Sequence, residues 1–301
     1  MGTFFKQIYR YTHPRRYRHN ENLWPYIKFT RAKAGHIDSL RYRGQPVPLY
    51  DLSALRAAQP EKLLIVATGP SINDTDFAAL SALPAMGLNG AWFKQQEINF
   101  HYYVIIDMTF LDRHMDMVKA VVSQPELIFF TTMHGVVKII NALTPGAIKC
   151  RLALVEDACF KIMQPRVHPT EIATHYHASP TVAFDAQHPE IAFSQDIRTG
   201  IFDAGTVAYW ALQIAGFMQP QKIVFAGLDM TNFNQPRFYE TADNMSPSFL
   251  AEKFNHLILP AFRHASKVLA AERIAVYNLS PTSAIPDHIF NKVSPDEIVS
   301  K

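Results

Sequence analysis

The segment Leu63–Asp74 most constrains the fold, because it predicts a buried strand that ends in a small-residue turn before a helix. Its apolar run is only four or five residues long, which favours a strand over a helix. Gly69 lets the backbone approach a ligand closely, Pro70 fixes the backbone after the turn, and Ser71 suits a helix cap. Such a turn fits either a bound phosphate or an ordinary strand–helix connection. It is neither a P-loop nor a dinucleotide fingerprint, because Gly-Lys-Ser/Thr and G-x-G-x-x-G are both absent.

From about residue 61 onward, predicted strands and helices alternate along the chain, without internal repeats. This alternation predicts an α/β, Rossmann-like fold with a mostly parallel sheet, helices on both faces and a lid-like loop and helical insertion. The predicted strands are Lys62–Ala67, Ala85–Leu88, Tyr102–Ile106, Leu127–Thr131, Lys222–Ala226 and Ile274–Asn278. The predicted helices are Asp76–Leu83, Leu111–Val122, Thr206–Gly216 and Ser248–Glu272, the last with a break near Pro260.

The alternating pattern also divides the chain. We expect a basic, aromatic N-terminal segment over residues 1–60, a Rossmann-like domain over 61–285 with a lid at about 229–262, and a tail over 286–301. Ligands of such sheets bind beyond the carboxyl ends of the strands. The predicted site residues therefore lie where these strands end.

The N-terminal segment is strongly basic, since residues 1–45 hold ten Lys and Arg against Glu21 and Asp38. Their net charge is +8, although the whole chain carries only +3. Aromatic residues lie between the basic ones, and Phe4, Phe5, Ile8 and Tyr11 are spaced to share a helical face. This combination favours contact with an anionic membrane or glycolipid, or else a solvated face whose aromatics pack on the core. The sequence contains no RNA-binding motif, so we expect no nucleic-acid partner.

The cysteines and the hydropathy of the chain indicate where in the cell the protein is expected. Cys150 and Cys159 are the only cysteines, and their spacing fits no zinc motif. No run of 18 apolar residues and no export signal is present, so we expect a cytoplasmic protein, peripheral on the inner membrane face. The sequence leaves open whether the protein forms a homo-oligomer. His175 and His177 favour a surface strand, with metal binding as the alternative.

Four motifs occur in a recognisable order. They are Thr68-Gly69-Pro70-Ser71, Asp203-Ala204-Gly205-Thr206 before a helix, His256 in Phe-Asn-His, and Ser280-Pro281-Thr282-Ser283 after the last strand. In this order the chain resembles bacterial CMP-sugar-dependent glycosyltransferases. These comprise the lipooligosaccharide sialyltransferases and their relatives, the lipopolysaccharide-core Kdo transferases. The resemblance covers roughly residues 60–285.

The resemblance implies a donor site for a CMP-activated sugar. It assigns the nucleotide to the Thr68–Ser71 turn and to Asn89, and gives Asp107 a position where the sialyltransferases carry Asn. It further implies donor contacts for Ala204 and Gly205, which precede a helix. Asp229, Ser280 and Ser283 follow predicted strands and are candidate donor contacts, with plain turn residues as the alternative for the two serines. Ala204 replaces a family serine, and Asp229 is equally suited to capping the lid loop.

The resemblance also implies two catalytic residues. Tyr239 takes the place of a lid tyrosine that touches the donor phosphate, and His256 takes the place of the catalytic histidine. A histidine suits a general base, because its pKa lies near ambient pH. No D-x-D triplet stands at a strand end, which agrees with a metal-independent enzyme without a cofactor.

The sequence thus predicts an inverting transferase that moves Kdo from its CMP donor to a lipopolysaccharide-core or other glycan acceptor. The alternatives are a sialyltransferase for surface glycans, a pterin-pyrophosphokinase-like or motility-accessory protein, and a non-catalytic membrane-docking scaffold.

Overall fold

The computed structural model describes residues 3–231, 233–241, 243, 245 and 249–300, with the backbone alone at Thr3 and Pro145. The strands are β1 Ile27–Arg31, β2 Ile37–Tyr42, β3 Gln45–Val47, β4 Lys62–Val66, β5 Ala85–Leu88, β6 Phe100–Val104, β7 Ile128–Thr131, β8 Arg151–Leu154, β9 Val182–Phe184, β10 Ala192–Ser194, β11 Lys222–Ala226, β12 Ala275–Asn278 and β13 Asn291–Lys292.

The α-helices are α1 Thr3–Thr12, α2 Met108–Arg113, α3 Met115–Val122, α4 Met133–Ala142, α5 Ile172–Tyr176, α6 Val207–Met218, α7 Leu250–Lys253, α8 Leu259–Ala271 and α9 Pro295–Ser300. A π-helical segment, Phe254–Ile258, lies between α7 and α8. Short 3-10 helices are Arg15–Asn20, Leu52–Ala57, Pro70–Asp74, Asn89–Lys94, Pro145–Ala147, Ala158–Phe160, Pro169–Glu171 and Ile197–Thr199.

The chain forms two compact units, each built from two stretches of sequence. The first unit comprises Met1–Ala54 and Ile106–Phe202, and the second comprises Leu55–Ile105 and Asp203–Lys301. The sequence predicted instead three continuous segments with boundaries at residues 60 and 285. That division stays a prediction.

The second unit contains a parallel sheet with the strand order β13-β12-β11-β4-β5-β6. Leu63–Val66 of β4 and Ile223–Ala226 of β11 are buried, as expected of central parallel strands covered on both faces. Helix α6 is buried along almost its whole length and contacts β5 and α8, while α8 contacts β12. The predicted α/β class with a mostly parallel sheet is confirmed.

The first unit combines antiparallel and parallel pairs. Its strands β1, β2 and β3 form an antiparallel sheet, β9 and β10 form an antiparallel pair, and β7 pairs with β8 in parallel. None of the antiparallel strands was predicted, because they are short and interrupted by polar residues.

Several predicted elements differ from the structure. The helix predicted over Asp76–Leu83 is wrong: Asp74 ends a 3-10 helix and turns follow. The helix predicted over Leu111–Val122 is divided at His114 into α2 and α3. The surface strand favoured for His175 and His177 is also wrong, because His175 lies in α5 and the ring of His177 bonds the Thr174 carbonyl within that turn.

The predicted lid is largely irregular up to Phe249 and then helical. Residues 232, 242, 244 and 246–248 of this lid lie outside the described residues, as do residues 1, 2 and 301 of the two termini. The predicted helical break near Pro260 is confirmed as the π-helical segment directly before it. Proline removes a backbone donor from the helical ladder, and a local widening of the helix accommodates this loss.

Candidate functional site

The turn after β4 is packed tightly against the turn after β11. The Gly69 amide donates to the Gly227 carbonyl at 2.9 Å. A β-carbon on Gly69 would lie 2.5 Å from Oδ2 of Asp229 and 2.6 Å from the Gly227 oxygen. Only glycine therefore fits at residue 69. The sequence predicted that Gly69 allows a ligand to come close to the backbone, whereas in the structure the groups close to it are Gly227 and Asp229.

Asp229 binds both donors of Ser71. The Ser71 amide donates to Oδ2 at 2.9 Å, and the Ser71 hydroxyl donates to Oδ1. Asp229 is only 4% exposed, and these two bonds compensate its buried carboxylate. The predicted phosphate donors on Ser71 are therefore engaged by a carboxylate. Thr68 is half-buried beside them, and Pro70 begins the 3-10 helix.

Buried polar side chains at the end of β12 and in the turn after it support the residue before Asp229. The carbonyl of Leu228 accepts hydrogen bonds from Oγ of Ser283 at 2.7 Å and Nδ2 of Asn278 at 3.1 Å. The side-chain oxygen of Asn278 accepts from the Ser280 amide. Ser280 is fully buried, and its hydroxyl has no hydrogen-bond partner among the described residues. Ser283 thus supports the Asp229 turn, and Asn278, which sequence reasoning missed, does the same.

Asn89 begins the 3-10 helix after β5 in a left-handed conformation, with φ at 44°. Its carbonyl accepts a 2.6 Å hydrogen bond from the Tyr103 hydroxyl, which in turn accepts from the Trp92 amide at 2.6 Å. Burial raises the pKa of Tyr103 well above its usual value, so the phenol stays neutral and can make both bonds. The Asn89 side-chain oxygen is buried without a partner among the described residues, and such an atom is a candidate ligand contact.

Tyr239 of the predicted lid lies directly over this turn. A β-carbon on Gly90 would come within 2.1 Å of Cε1 of Tyr239. The Tyr239 ring stacks on Phe93, with centroids 5.1 Å apart and planes 17° from parallel. The structure therefore brings together Asn89 and Tyr239, which the sequence proposed separately, and adds Phe93 and Gly90 to them.

The turn before α6 meets the helical region that carries His256. Gly205 has φ at 77°, and its amide donates to Asp203 Oδ2 at 3.0 Å. A β-carbon on Gly205 would lie 2.8 Å from Cδ of Lys253 and 3.6 Å from Cδ2 of Leu257. The adjacent Ala204 is buried at 1% exposure.

His256 lies in the π-helical segment between Lys253 and Leu257 and is exposed. A π-helical turn often marks a functional position in a helix. Since its two helical neighbours contact Gly205, the structure brings the region of His256 to the Ala204–Gly205 turn.

Asp107 is the one predicted site residue that belongs to the first unit. It caps α2, because its Oδ1 atom accepts the Thr109 amide at 2.8 Å and the Phe110 amide at 3.3 Å. Its carboxylate therefore has a local structural role at the end of β6.

The described residues contain neither a group of side chains suited to a metal ion nor a helix suited to crossing a membrane. No three His, Cys, Asp or Glu side chains in the described part of the chain are grouped to hold a metal ion. Within the same residues, no helix has the length and apolar character needed to cross a bilayer.

Residues 172–295 match the family model of the 3-deoxy-D-manno-octulosonic acid (Kdo) transferase WaaZ. Two relatives, each named a probable 3-deoxy-manno-octulosonic acid transferase, come from Salmonella typhimurium and Escherichia coli. The Salmonella protein is 32% identical over 106 residues, which are 35% of this chain and 38% of that protein. The Escherichia coli protein is 36% identical over 95 residues, which are 32% of each chain. The chain thus spans about a third of the length of the relatives it matches.

Among solved structures, the sialyltransferase CstII from Campylobacter jejuni, in complex with a substrate analogue, cytidine-5′-monophosphate, is similar over 78% of this chain and 86% of that one. The identity is 12% and the TM-score 0.42. This likeness is too distant to transfer residues between the two proteins.

The segment that matches the WaaZ model contains Gly205, Tyr239 and His256, together with the turns at Asp229 and Ser283. The resemblance to the Kdo transferases that the sequence predicted is therefore confirmed over residues 172–295.

Proposed function

We propose that this protein transfers an acidic keto-sugar from a CMP-activated donor to a lipopolysaccharide-core or other glycan acceptor. Kdo is the first choice of sugar, because the family match is to a Kdo transferase, and sialic acid is the second. The observation that carries the proposal is the meeting of Tyr239 with the Asn89–Gly90 turn inside the second unit. That turn follows a strand of the parallel sheet, where ligands of this architecture bind.

The donor would use this turn for its nucleotide. The buried, unpartnered side-chain oxygen of Asn89 suits the amino group of a cytosine or a sugar hydroxyl. Ser71 has both of its donors engaged by Asp229, which favours Tyr239 over Ser71 as the hydrogen-bond donor to the phosphate. A neutral phenol can stabilise the phosphomonoester anion that leaves without giving up its proton.

The acceptor hydroxyl would lose its proton to His256. This histidine is exposed next to the residues that contact Gly205, where an incoming sugar has access. Attack by the activated hydroxyl on the anomeric carbon forms the new glycosidic bond while the bond to CMP breaks, and a single displacement inverts the configuration. We propose that these steps need neither a metal ion nor a cofactor.

The N-terminal region would hold the enzyme at its acceptor. Helix α1 exposes Phe4 at 69% and Tyr11 at 90%, on the stripe that Ile8 shares. Phe5 of the predicted face is less exposed, at 36%, and its ring contacts Phe4 as well as Trp24 and Tyr26. Exposed aromatic side chains on a basic segment suit the interface of an anionic membrane.

A nucleotide screen tests the proposed donor. Cytidine, uridine, guanosine and adenosine mono- and diphosphates are compared by thermal shift. CMP at one hundred times its dissociation constant should stabilise the protein by about 2.7 kcal/mol. Stabilisation by a nucleoside diphosphate with none by CMP would contradict the proposal.

A further inference from the structure

Lys253 lies against the turn that the donor would reach. Its stem covers Gly205, since the position of a β-carbon there is 2.8 Å from Cδ and 3.8 Å from Cβ of Lys253. Lys253 is half-buried, and His256 follows it by three residues along the same helical run. Lys253 and Leu257, which flank His256 in sequence, both lie within 4 Å of a β-carbon at Gly205, so Lys253 and the proposed base belong to the same stretch of helix at this turn.

The charge of Lys253 is uncompensated in the part of the chain that the structure describes. It forms no ion pair and no hydrogen bond there. The nearby carboxylate of Asp203 is engaged instead by the Gly205 amide and by Nε1 of Trp210. In the lid, by contrast, Arg237 is paired with Glu240 at 2.7 Å.

An uncompensated cation beside a strand-end turn suits an anionic ligand. The proposed donor carries two anionic groups, the carboxylate of the keto-sugar and the phosphate of CMP. A neutral hexose on the same nucleotide would offer only the phosphate.

We propose that Lys253 binds an anionic oxygen group of the donor and thereby selects an acidic sugar nucleotide. This inference rests on the proposed function, because it assumes that the CMP-sugar lies between the Gly205 turn and the helical run. The lysine stem packs on Gly205, so the ammonium group is held near this turn.

The test uses Lys253→Met, which keeps an unbranched stem over Gly205, and Lys253→Arg, which keeps the charge. Lys267→Met is the matched control, since Lys267 is exposed further along the same helical run. CMP affinity is measured by calorimetry, and KM and kcat are measured with the CMP-keto-sugar. Loss of a hydrogen bond to a charged group should raise KM about 10- to 100-fold in Lys253→Met, with recovery in Lys253→Arg.

The measurement of CMP affinity distinguishes whether Lys253 binds the phosphate or the carboxylate of the donor. If CMP affinity is unchanged while KM rises, Lys253 binds the carboxylate and the proposed selection of an acidic sugar is supported. If CMP affinity falls as much as KM rises, Lys253 binds the phosphate, and its proposed selection of an acidic sugar is overturned. Equal KM and CMP affinity in Lys253→Met and Lys267→Met would overturn the role of Lys253 alone. A wild-type protein that binds neither CMP nor the CMP-sugar would overturn the proposed function and this role with it.

Discussion

The ring of Tyr239 lies so close to the α-carbon of Gly90 that a β-carbon there would approach its Cε1 atom to 2.1 Å. The two residues are separated by almost 150 positions in sequence, and the contact joins the lid to the turn after β5. The ring of Phe93, from the same turn, stacks on Tyr239. The lid tyrosine is thus positioned by a glycine and an aromatic ring.

Gly90→Ala should displace Tyr239 and slow transfer. Tyr239 can move more easily than the backbone of the turn, so the variant should lose about 1–3 kcal/mol of stability at most while its kcat falls. Gly146→Ala is the matched control, because no atom lies within 4 Å of a β-carbon at that position. Melting temperature and kcat are compared for both, and full activity in folded Gly90→Ala would show that the position of Tyr239 is unimportant.

Ser71 and Asp229 should be strongly coupled in stability. A double-mutant cycle with Ser71→Ala and Asp229→Asn should give a coupling free energy of about 1 kcal/mol or more, since one carboxylate binds both donors of Ser71. Ser266→Ala, whose hydroxyl bonds the Ile289 carbonyl, should combine with Asp229→Asn additively within about 0.5 kcal/mol. Urea unfolding measures the free energies of wild type, the three single variants and the two double variants, and additivity in the Ser71 cycle would contradict the pairing.

His256→Ala should reduce turnover by about 10²–10⁴-fold, the usual cost of losing a general base. CMP affinity should change little, because the base acts on the acceptor. His288→Ala is the control, as His288 is also exposed in the second unit. Tyr239→Phe, in the same assay, should slow CMP departure by removing the phenol donor. Near-normal turnover in His256→Ala would place the base elsewhere.

The central strands could be predicted because their apolar runs are buried on both faces. Lys222–Ala226 and Ala85–Leu88 match β11 and β5 residue for residue. Strand β12, Ala275–Asn278, begins one residue later than predicted, and the two-residue strand β13 that follows it was not predicted. Strands β1 to β3 were missed because basic and polar residues alternate with few apolar ones, and their pairing is decided by packing within the first unit.

The candidate site was only partly accessible to sequence reasoning. Strand ends and glycines identified the turns at Gly69, Asn89 and Gly205, but side-chain partners depend on the order of strands in the sheet. The pairing of Asp229 with Ser71 requires β4 to lie beside β11, which local sequence does not specify. The roles of Asn278 and Tyr103 as buried supports have the same origin, although a polar residue ending the apolar run Val-Tyr-Asn was a usable signal for Asn278.

Glu21 should make the docking of α1 dependent on pH. Its hydrogen bonds with Arg10 and Lys6 lower its pKa from 4.5 to about 2. Because the folded state lowers this pKa, the stabilisation is fully present above about pH 4.5 and is lost as pH falls through about 2. The unfolding free energies of wild type and Glu21→Gln should therefore differ at pH 6 and converge towards pH 2. Glu126→Gln, which removes an exposed ion pair with Arg151, is the control and should have nearly the unfolding free energy of wild type at both pH values. If the difference between wild type and Glu21→Gln stays the same from pH 6 to pH 2, the lowered pKa of Glu21 is refuted.

The exposed stripe of α1 should contribute to membrane binding. Phe4→Ser/Tyr11→Ser is compared with Phe249→Ser, which removes an aromatic ring of similar exposure, 65%, from outside α1. Only the first variant should lose co-sedimentation with vesicles containing anionic lipid.

Wild-type binding should weaken as salt rises, because exposed charges are screened over about 8 Å at physiological ionic strength. The apolar rings of Phe4 and Tyr11 should leave a salt-resistant remainder that the double variant lacks. If wild type binds neutral and anionic vesicles equally, the basic residues have no electrostatic role, and if the double variant binds as well as Phe249→Ser, the stripe does not enter the membrane.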